Sequence, residues 1–288
     1  MTETGRIIKS IGGLFFIESS DTIYECKARG IFRKDGISPS VGDMVTFENG
    51  VITEIHERKN FIIRPPLANL DQLIFVVSVT QPAPNLLILD KFIAVAEYQN
   101  ITPVIVLTKV DLEKYDDILD IYKRAGIEIY VIDYNDANAV EEIRLLLKDK
   151  ISAFTGNSGA GKSTLLNEVC GDFNISTGEI SEKLGRGRHT TRHSELYRLP
   201  WGGYIADTPG FSTFETNKYN IIRKEELADC FAEFRQFEGE CKFRDCSHTK
   251  EKGCRIIEAV QEGVIPQSRH ESYCCMYDEA KQIKEWEL

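Results

Sequence analysis

The first part of the chain alternates apolar and polar residues with the two-residue period that is typical of β-strands. Turn residues separate the strand-like runs, and Asn49-Gly50 between two of them is typical of a β-hairpin. Five short strands in a region of this length predict a small β-barrel of the OB type. The predicted strands are Arg6–Ser10, Leu14–Glu18, Ile23–Arg29, Met44–Phe47 and Val51–Ile55, and Pro65-Pro66 is expected to form a stiff break after them.

From Leu67 onwards, apolar strand-like runs alternate with amphipathic helical segments. This alternation predicts a mostly parallel sheet that is covered by helices on both faces. The predicted strands are Leu73–Val79, Val104–Leu107, Ile129–Ile132 and Ile151–Thr155, and the predicted helices are Leu86–Gln99, Ile118–Ala125, Ala139–Lys148 and Lys162–Cys170. A hairpin of Leu196–Leu199 and Tyr204–Ala206 is expected around Trp201-Gly202-Gly203.

Beyond about Lys218 the helical period dominates. The sequence predicts one helix over Glu225–Phe237, with Leu227, Phe231 and Phe234 on one face, and a final amphipathic helix over Tyr273–Trp286. The chain is therefore predicted to be multidomain. Its regions are an N-terminal OB-type β-barrel (1–66), a central α/β domain (67–217) and a C-terminal mostly helical domain (218–288).

Composition narrows the classes of protein that remain. The chain has 288 residues, a net charge of -10 and 42% hydrophobic residues, which favours a soluble globular protein and argues against a simple nucleic-acid binder. No run approaches the about 20 apolar residues of a membrane span, and Met1–Gly5 does not have the pattern of a signal peptide. The eight cysteines then favour free thiols and metal ligands in the cytoplasm. A local basic cluster is either a solvated loop or a switch that meets a partner; its members are Lys183, Arg186, Arg188, Arg192 and Arg198.

A complete GxxxxGK[ST] phosphate loop lies between a predicted strand and a predicted helix. Its backbone N–H groups are expected to converge on phosphate oxygens at the helix N-terminus. Lys162 is expected to reach the β- and γ-phosphates and the Ser163 hydroxyl to coordinate Mg²⁺. The residues expected to hold the phosphates are Gly156, Asn157, Ser158, Gly159, Ala160, Gly161, Lys162, Ser163 and Thr164.

Two further nucleotide-binding motifs occur in an unusual order. Thr108-Lys109-Val110-Asp111 precedes the phosphate loop, whereas Asp207-Thr208-Pro209-Gly210, a DxxG element, follows it. An ordinary GTPase runs phosphate loop, DxxG, then [NT]KxD, so this order predicts a circularly permuted GTPase domain.

Each of these motifs has an expected chemical role. The Asp111 carboxylate can accept two hydrogen bonds from guanine, whereas adenine offers no such pair of donors, which favours GTP over ATP. Lys109 is expected to pack over the purine, and Thr108 stands where asparagine is more usual. Asp207 is expected to bind Mg²⁺, and the Gly210 amide to contact the γ-phosphate.

The Mg²⁺-sensing switch is predicted within Gly185–His193. One threonine should approach Mg²⁺ and the γ-phosphate, and we favour Thr191 over Thr190. Phe211 follows the DxxG element, where many GTPases place a glutamine that orients water, so intrinsic hydrolysis is expected to be slow. His189 is the candidate for orienting the attacking water, and a histidine that only packs or meets a partner is the alternative.

Three thiols and one imidazole are crowded into a polar segment near the C-terminus. They follow the pattern Cys241-x₄-Cys246-x-His248-x₅-Cys254, which suits one tetrahedral Zn²⁺. Four protein ligands leave no position for water, so we expect a structural zinc and not a catalytic one.

The permuted motifs, the predicted barrel and the Cys/His segment together resemble the ribosome small-subunit-dependent GTPase A family (RsgA/YjeQ) over essentially the whole chain. Further segments carry the resemblance; they are Tyr24-Glu25-Cys26-Lys27-Ala28-Arg29-Gly30, Val41-Gly42-Asp43, Arg64-Pro65-Pro66, Asn69-Leu70-Asp71-Gln72 and Gly187-Arg188-His189-Thr190-Thr191.

The resemblance implies a cytoplasmic, monomeric GTPase that binds the small (30S) ribosomal subunit late in its maturation, is stimulated by it, and contacts no membrane. It also implies that the barrel and the zinc domain contact 16S rRNA. Aromatic and basic side chains of the barrel are candidates for this contact, and their alternative role is ordinary barrel core and surface. The candidates are Phe15, Phe16, Tyr24, Arg29, Phe32, Arg33 and Lys34.

Other functions are compatible with parts of the sequence. A binding module that uses nucleotide only for stability fits Phe211. A permuted GTPase that acts on the large subunit or on another RNA fits the nucleotide motifs, although the barrel and the zinc segment argue against it. An ATPase is disfavoured by Asp111.

Overall fold

The computed structural model describes residues 2–30, 32, 37–63, 65–171, 194–207 and 221–283, with the backbone alone for Ala137 and Asp207. The chain divides into two compact units, one of Met1–Val76 with Tyr134–Thr213 and the other of Val77–Asp133 with Phe214–Leu288. The predicted α/β region thus contributes to both units, with the phosphate loop in the first and Thr108–Asp111 in the second. The predicted domain boundaries at 66 and 217 stay predictions.

Five N-terminal strands form a closed barrel, as the alternating pattern predicted. Strand order is β1-β2-β3-β5-β4, and β4 pairs back onto β1; β3 and β5 are parallel and the other pairs antiparallel. Apolar side chains from alternate positions fill its interior, and Ile7, Ile17, Val45 and Ile52 are fully buried. The strands are β1 (Glu3–Ile11), β2 (Leu14–Ser19), β3 (Thr22–Ala28), β4 (Met44–Glu48) and β5 (Val51–Ile55).

Pro65-Pro66 lies in a turn between two short paired strands, β6 (Phe61–Ile62) and β7 (Leu67–Ala68). The sequence predicts a stiff break there. Leu67 and Ala68 are fully buried, so this ribbon packs into the first unit and does not serve as an exposed linker.

The remaining elements alternate between strands and helices up to the phosphate-loop helix. The strands are β8 (Gln72–Ser78), β9 (Thr102–Thr108), β10 (Glu128–Val131), β11 (Ile151–Thr155), β12 (Glu195–Arg198) and β13 (Tyr204–Asp207). The helices are α1 (Leu86–Tyr98), α2 (Asp116–Arg124), α3 (Ala137–Leu147) and α4 (Lys162–Cys170).

In the first unit, β8, β11 and β13 are parallel neighbours, and β12 lies antiparallel beside β13. On its other side β12 pairs with the barrel strand β1, so the barrel continues the sheet of the phosphate loop. In the second unit, β9 and β10 are parallel. The predicted parallel sheet and the predicted hairpin are both present.

The C-terminal region packs on helix α1 within the second unit. It consists of two 3₁₀ helices (Leu227–Cys230 and Ala232–Phe237), α5 (Arg255–Gln261) and α6 (Gln267–Ala280). The apolar side chains Leu227, Phe231, Phe234 and Tyr273 form one core with Ala94 and Val95 of α1.

Two predictions for the C-terminal region were wrong in detail. The single helix over Glu225–Phe237 is broken at Phe231, whose φ of -113° and ψ of 97° are extended and separate the two 3₁₀ helices. The final helix begins at Gln267, directly after Pro266, and its described part ends at Ala280, not at Trp286. Among the helices that the structure describes, none has the length and apolar character needed to cross a membrane.

Candidate functional site

The phosphate loop connects the buried strand β11 to helix α4, as predicted. Gly156 has a φ of +148°, and a Cβ atom at this position would lie 2.2 Å from the backbone oxygen of Val76. Gly161 has a φ of +95° and is the N-terminal cap of α4. Only glycine combines these backbone angles with so close an approach, because it has no Cβ atom. The glycines of the motif are therefore required by the shape of the loop.

Lys162 folds back across the loop that precedes it. Its ammonium group donates to the carbonyl oxygens of Gly156, at 2.5 Å, and Asn157, at 2.9 Å. Partial burial lowers the pKa of Lys162. The N–H groups of a helix's first turn have no intrahelical partners, so the cation and these donors together suit a phosphate chain. Ser163 and Thr164 occupy this first turn of α4, where Ser163 is partly buried and Thr164 exposed.

The rest of the loop also has the expected character. Asn157, Ser158 and Gly159 are exposed, whereas Ala160 is buried and its N–H group donates to the carbonyl of Asn157 at 3.1 Å. The structure thus brings the predicted phosphate-binding residues together in one tight turn.

Thr108–Asp111 form a turn at the end of β9 in the second unit. Thr108 is buried, its hydroxyl donates to the carbonyl of Val77 at 3.4 Å, and its own carbonyl accepts from Val79. Lys109 has a φ of +58° and its ammonium group donates to the carbonyl of Gln81. The Asp111 side chain is exposed, so its carboxylate is accessible to a base. Thr108 therefore anchors the turn within its own unit, in place of the usual asparagine.

The magnesium-binding candidates are described only in part. Asp207 is the last residue of β13, where its backbone stands opposite Glu195 of β12. The predicted roles of His189, Thr190, Thr191, Gly210 and Phe211 lie outside the described residues. These roles stay predictions.

Cys241, Cys246, His248 and Cys254 come together in the second unit, and their ligand atoms all lie within 4.8 Å of one another. The Nδ1 atom of His248 lies 3.6 Å from the Cys241 sulfur and 3.5 Å from the Cys254 sulfur, and these two sulfurs are 3.9 Å apart. A tetrahedral ion with bonds of about 2.3 Å to sulfur and 2.0 Å to nitrogen has ligand–ligand distances of roughly 3.5–3.8 Å. The cluster therefore fits a tetrahedral metal ion.

Burial raises the pKa of the Cys254 thiol to about 12. A thiolate in this position needs a neighbouring cation to offset its loss of solvation, which a bound metal ion supplies.

Helix α6 and one carboxylate support the ligand loop. His270 Nε2 lies 2.7 Å from the carbonyl oxygen of His248, and the Tyr273 hydroxyl donates to the carbonyl of Ser247 at 2.9 Å. Glu251 accepts from the backbone N–H groups of Ser247, Thr249 and Lys250. Partial burial alone would raise the pKa of Glu251, but these hydrogen bonds and one from the Ser247 hydroxyl lower it to about 2. The sequence reasoning missed these supporting residues, and the three-residue spacing of Glu251 from both His248 and Cys254 was the one available signal.

The barrel side chains that were candidates for RNA contact differ in exposure. Phe15 is 8% exposed and belongs to the barrel core. Phe16, Tyr24 and Phe32 are partly buried, and the Tyr24 ring lies 5.0 Å from that of Phe47. Arg29 is exposed, whereas the predictions for Arg33 and Lys34 lie outside the described residues.

These features define a circularly permuted P-loop GTPase that carries an N-terminal OB-type barrel and a C-terminal Cys/His metal cluster. Residues 4–54 match the family model described as RsgA N-terminal domain, and residues 55–217 match the one described as RsgA GTPase. The chain therefore belongs to the RsgA family, and it is a GTPase.

Curated relatives and solved structures agree with this assignment. The small ribosomal subunit biogenesis GTPase RsgA of Caldanaerobacter subterraneus subsp. tengcongensis is 44% identical over 286 residues, which cover 96% of each chain. The protein of that name from Bacillus subtilis is 40% identical and covers 97% of this chain and 98% of its own.

The crystal structure of YjeQ from Thermotoga maritima has a TM-score of 0.81 and 33% identity, and covers 99% of this chain and 100% of its own. That of YloQ, described as a circularly permuted GTPase, has a TM-score of 0.78 and 35% identity, and covers 99% and 96%.

Proposed function

We propose that this chain binds the small ribosomal subunit during its late maturation and hydrolyses GTP to GDP and phosphate when it is bound there. The observation that carries the proposal is the full-length match to relatives named for small ribosomal subunit biogenesis. The barrel, the phosphate loop and the Cys/His cluster, all within the described residues, support it, and so does the permuted order of the nucleotide motifs in the sequence.

The nucleotide is held by groups of two kinds. The backbone N–H groups of Gly156–Gly161 and the Lys162 ammonium group bind the phosphates. The Lys162 side chain already folds back over this loop, so that the two kinds of group lie close together. The exposed Asp111 carboxylate accepts hydrogen bonds from the guanine N1–H and N2–H₂ groups, and Lys109 packs against the base. A bound base covers this carboxylate, and leaving it unpaired there would be costly, so guanine is preferred over adenine at this position.

Hydrolysis requires charge neutralisation and a positioned water molecule. Mg²⁺ bound with GTP neutralises charge on the β- and γ-phosphates. Ser163, Asp207 and Thr191 are the residues that would hold this ion, directly or through water, and the Gly210 amide would contact the γ-phosphate. His189 orients the attacking water in this proposal, because Phe211 has no polar group with which to do so.

Release from the subunit is gated by nucleotide state. GTP orders the threonine loop and the segment after Gly210, as γ-phosphate contacts do in other GTPases. The C-terminal region follows this segment directly in the permuted chain, so its docking responds to hydrolysis. One structural Zn²⁺, bound by Cys241, Cys246, His248 and Cys254, keeps the C-terminal region folded. The C-terminal region and the barrel both contact 16S rRNA.

GTP turnover with purified ribosomal subunits tests the proposal. Small subunits should raise the turnover rate at least tenfold, whereas large subunits at the same concentration should leave it unchanged. Lys162→Ala should abolish turnover, while the control Lys148→Ala, an exposed lysine after α3, should not.

Co-sedimentation tests the gating. The chain should pellet with small subunits in a non-hydrolysable GTP analogue and remain in the supernatant with GDP. Equal turnover with and without small subunits would refute stimulation. Equal co-sedimentation in both nucleotides would instead indicate a binding module that uses nucleotide only for stability.

A further inference from the structure

Barrel strand β1 is hydrogen-bonded to the hairpin β12–β13 within the first unit. Lys9 of β1 pairs with Glu195 of β12, and Glu195 stands opposite Asp207 of β13. The three residues therefore occupy one row across three neighbouring strands. Strand β13 ends at Asp207, which is also the first residue of the DxxG element. The row therefore lies at the end of the strand that leads into that element.

Side chains reinforce this row at the open end of the hairpin. The Lys9 ammonium lies 2.8 Å from Glu195 Oε1, with side chains that are 31% and 23% exposed. The Tyr197 hydroxyl donates to the other carboxylate oxygen of Glu195 at 3.3 Å. Both oxygens of Glu195 are thus hydrogen-bonded.

A second group of contacts holds the turn end of the same hairpin. Glu18 of β2 accepts from Arg198 at 3.0 Å and from the Tyr204 hydroxyl, and Arg198 and Tyr204 face each other in register. Burial and the neighbouring Glu18 raise the pKa of Tyr204 to about 12, so its hydroxyl keeps the proton that it donates. Barrel side chains therefore bind the hairpin at both ends, Lys9 at Glu195 and Glu18 at Arg198 and Tyr204.

We propose that Lys9, acting through Glu195, is a positioning residue for the Mg²⁺-bound nucleotide and couples the barrel to GTP hydrolysis. This inference rests on the proposed function in one respect, the assignment of Asp207 to Mg²⁺. Strand β11 leads into the phosphate loop and pairs with β13. The hydrogen-bonded row therefore sets the position of the Asp207 backbone relative to the phosphate loop. A ligand that shifts β1 on the barrel shifts this row and changes Mg²⁺ affinity, and Mg²⁺-nucleotide changes the affinity of the barrel for that ligand by the same factor.

The Mg²⁺ dependence of GTP turnover by the full chain tests the coupling. Lys9→Ala should raise the Mg²⁺ concentration at half-maximal turnover by about two- to fivefold, which is the range that a partly exposed ion pair can supply. The KM for GTP at saturating Mg²⁺ should stay unchanged, because base and phosphate contacts are untouched.

The ion pair itself is identified by a second set of variants. Glu195→Ala should match Lys9→Ala, the double variant should be no worse than either, and the exchanged pair Lys9→Glu with Glu195→Lys should recover most of the Mg²⁺ affinity. Glu18→Gln, which weakens the other attachment, should change Mg²⁺ dependence in the same direction.

Lys59→Ala is the matched control, because Lys59 forms a 2.8 Å ion pair with Asp71 in the same unit, and both residues lie outside β1 and the hairpin β12–β13. A lower melting temperature of Lys9→Ala with unchanged Mg²⁺ dependence overturns the inference, provided that Asp207→Ala does alter that dependence. If Asp207→Ala leaves the Mg²⁺ dependence unaltered, the proposed role of Asp207 is itself wrong.

Discussion

Arg269 of helix α6 donates to Asp90 of helix α1 at 2.7 Å, and both side chains are only 1% exposed. The same guanidinium donates to both carboxylate oxygens of Glu233, and the Tyr122 hydroxyl donates to Asp90 at 3.0 Å. Burial alone would lower the pKa of Arg269, but Glu233 and Asp90 outweigh it and raise the pKa. The C-terminal region is thus joined to α1 by buried charges as well as by apolar packing, and Tyr122 of α2 hydrogen-bonds to the same Asp90 carboxylate.

Replacing Arg269 should destabilise the second unit strongly. Arg269→Met leaves two carboxylates buried without their cation, which is expected to lower the free energy of unfolding by about 3–5 kcal/mol in urea denaturation. The control is Arg235→Met, since Arg235 pairs with Glu97 but is 56% exposed, and its loss should cost less than about 1 kcal/mol. Equal losses for the two variants would contradict a special role for the buried cluster. Adding Asp90→Asn and Glu233→Gln to Arg269→Met should recover part of the stability.

Removal of one metal ligand should release the ion and unfold the ligand loop. Cys254→Ser is expected to lose the one equivalent of zinc that elemental analysis should find in the full chain, and to melt at a lower temperature. Cys275→Ser should keep its zinc, because Cys275 lies on α6 outside the four-ligand cluster. Full zinc content in Cys254→Ser would show that the ligand set is assigned incorrectly.

Asp111→Asn should relax the preference for guanine. The change removes a charge-assisted acceptor for the N1–H and N2–H₂ groups, so GTP affinity should fall by about 10- to 100-fold, measured by titration with a fluorescent GTP analogue. Xanthosine triphosphate, whose base carries an oxygen at C2, should bind the variant better than it binds the original chain. Asp117→Asn is the control, because this exposed residue lies in the first turn of α2 and outside the motif. An unchanged preference in Asp111→Asn would exclude this carboxylate from base recognition.

Gly156→Ala should abolish nucleotide binding with a smaller effect on the fold. The added Cβ would lie 2.2 Å from the Val76 oxygen at a φ of +148°, so the phosphate loop has to change shape. Gly171→Ala, after α4, meets no atom within 4 Å and should bind GTP normally. Calorimetric titration with GDP would measure both, and tight binding by Gly156→Ala would disprove the need for this backbone geometry.

Local sequence patterns were sufficient to predict a structure when its residues are contiguous in the sequence and also adjacent in space. The phosphate loop could be predicted because its glycines, its lysine and its flanking elements are contiguous, and β11 and α4 begin and end where the sequence placed them. Barrel strands were predictable for a similar reason, since alternation reports directly which side of a strand is buried.

The C-terminal helices show what apolar spacing does not decide. Leu227, Phe231 and Phe234 are all buried, as the stripe predicted, but the same burial is reached by two 3₁₀ helices and an extended Phe231. Arg269 was overlooked because a lone charged residue is normally expected on the surface. Its partners Asp90 and Glu233 are distant in sequence, so no local window could pair them. The contact of Lys9 with Glu195, 186 positions away, was hidden for the same reason.

Helix α1 and the C-terminal region share one hydrophobic core, so this chain is not a series of independently folding domains. Truncation of the chain after residue 217 would remove the apolar side chains that cover Ala94 and Val95. It would also leave Asp90 without Arg269 on the newly exposed surface. The remaining fragment would be prone to aggregate. A loss of activity in such a shortened chain would therefore report unfolding of the second unit, which carries Thr108–Asp111, in addition to the absence of the C-terminal region itself.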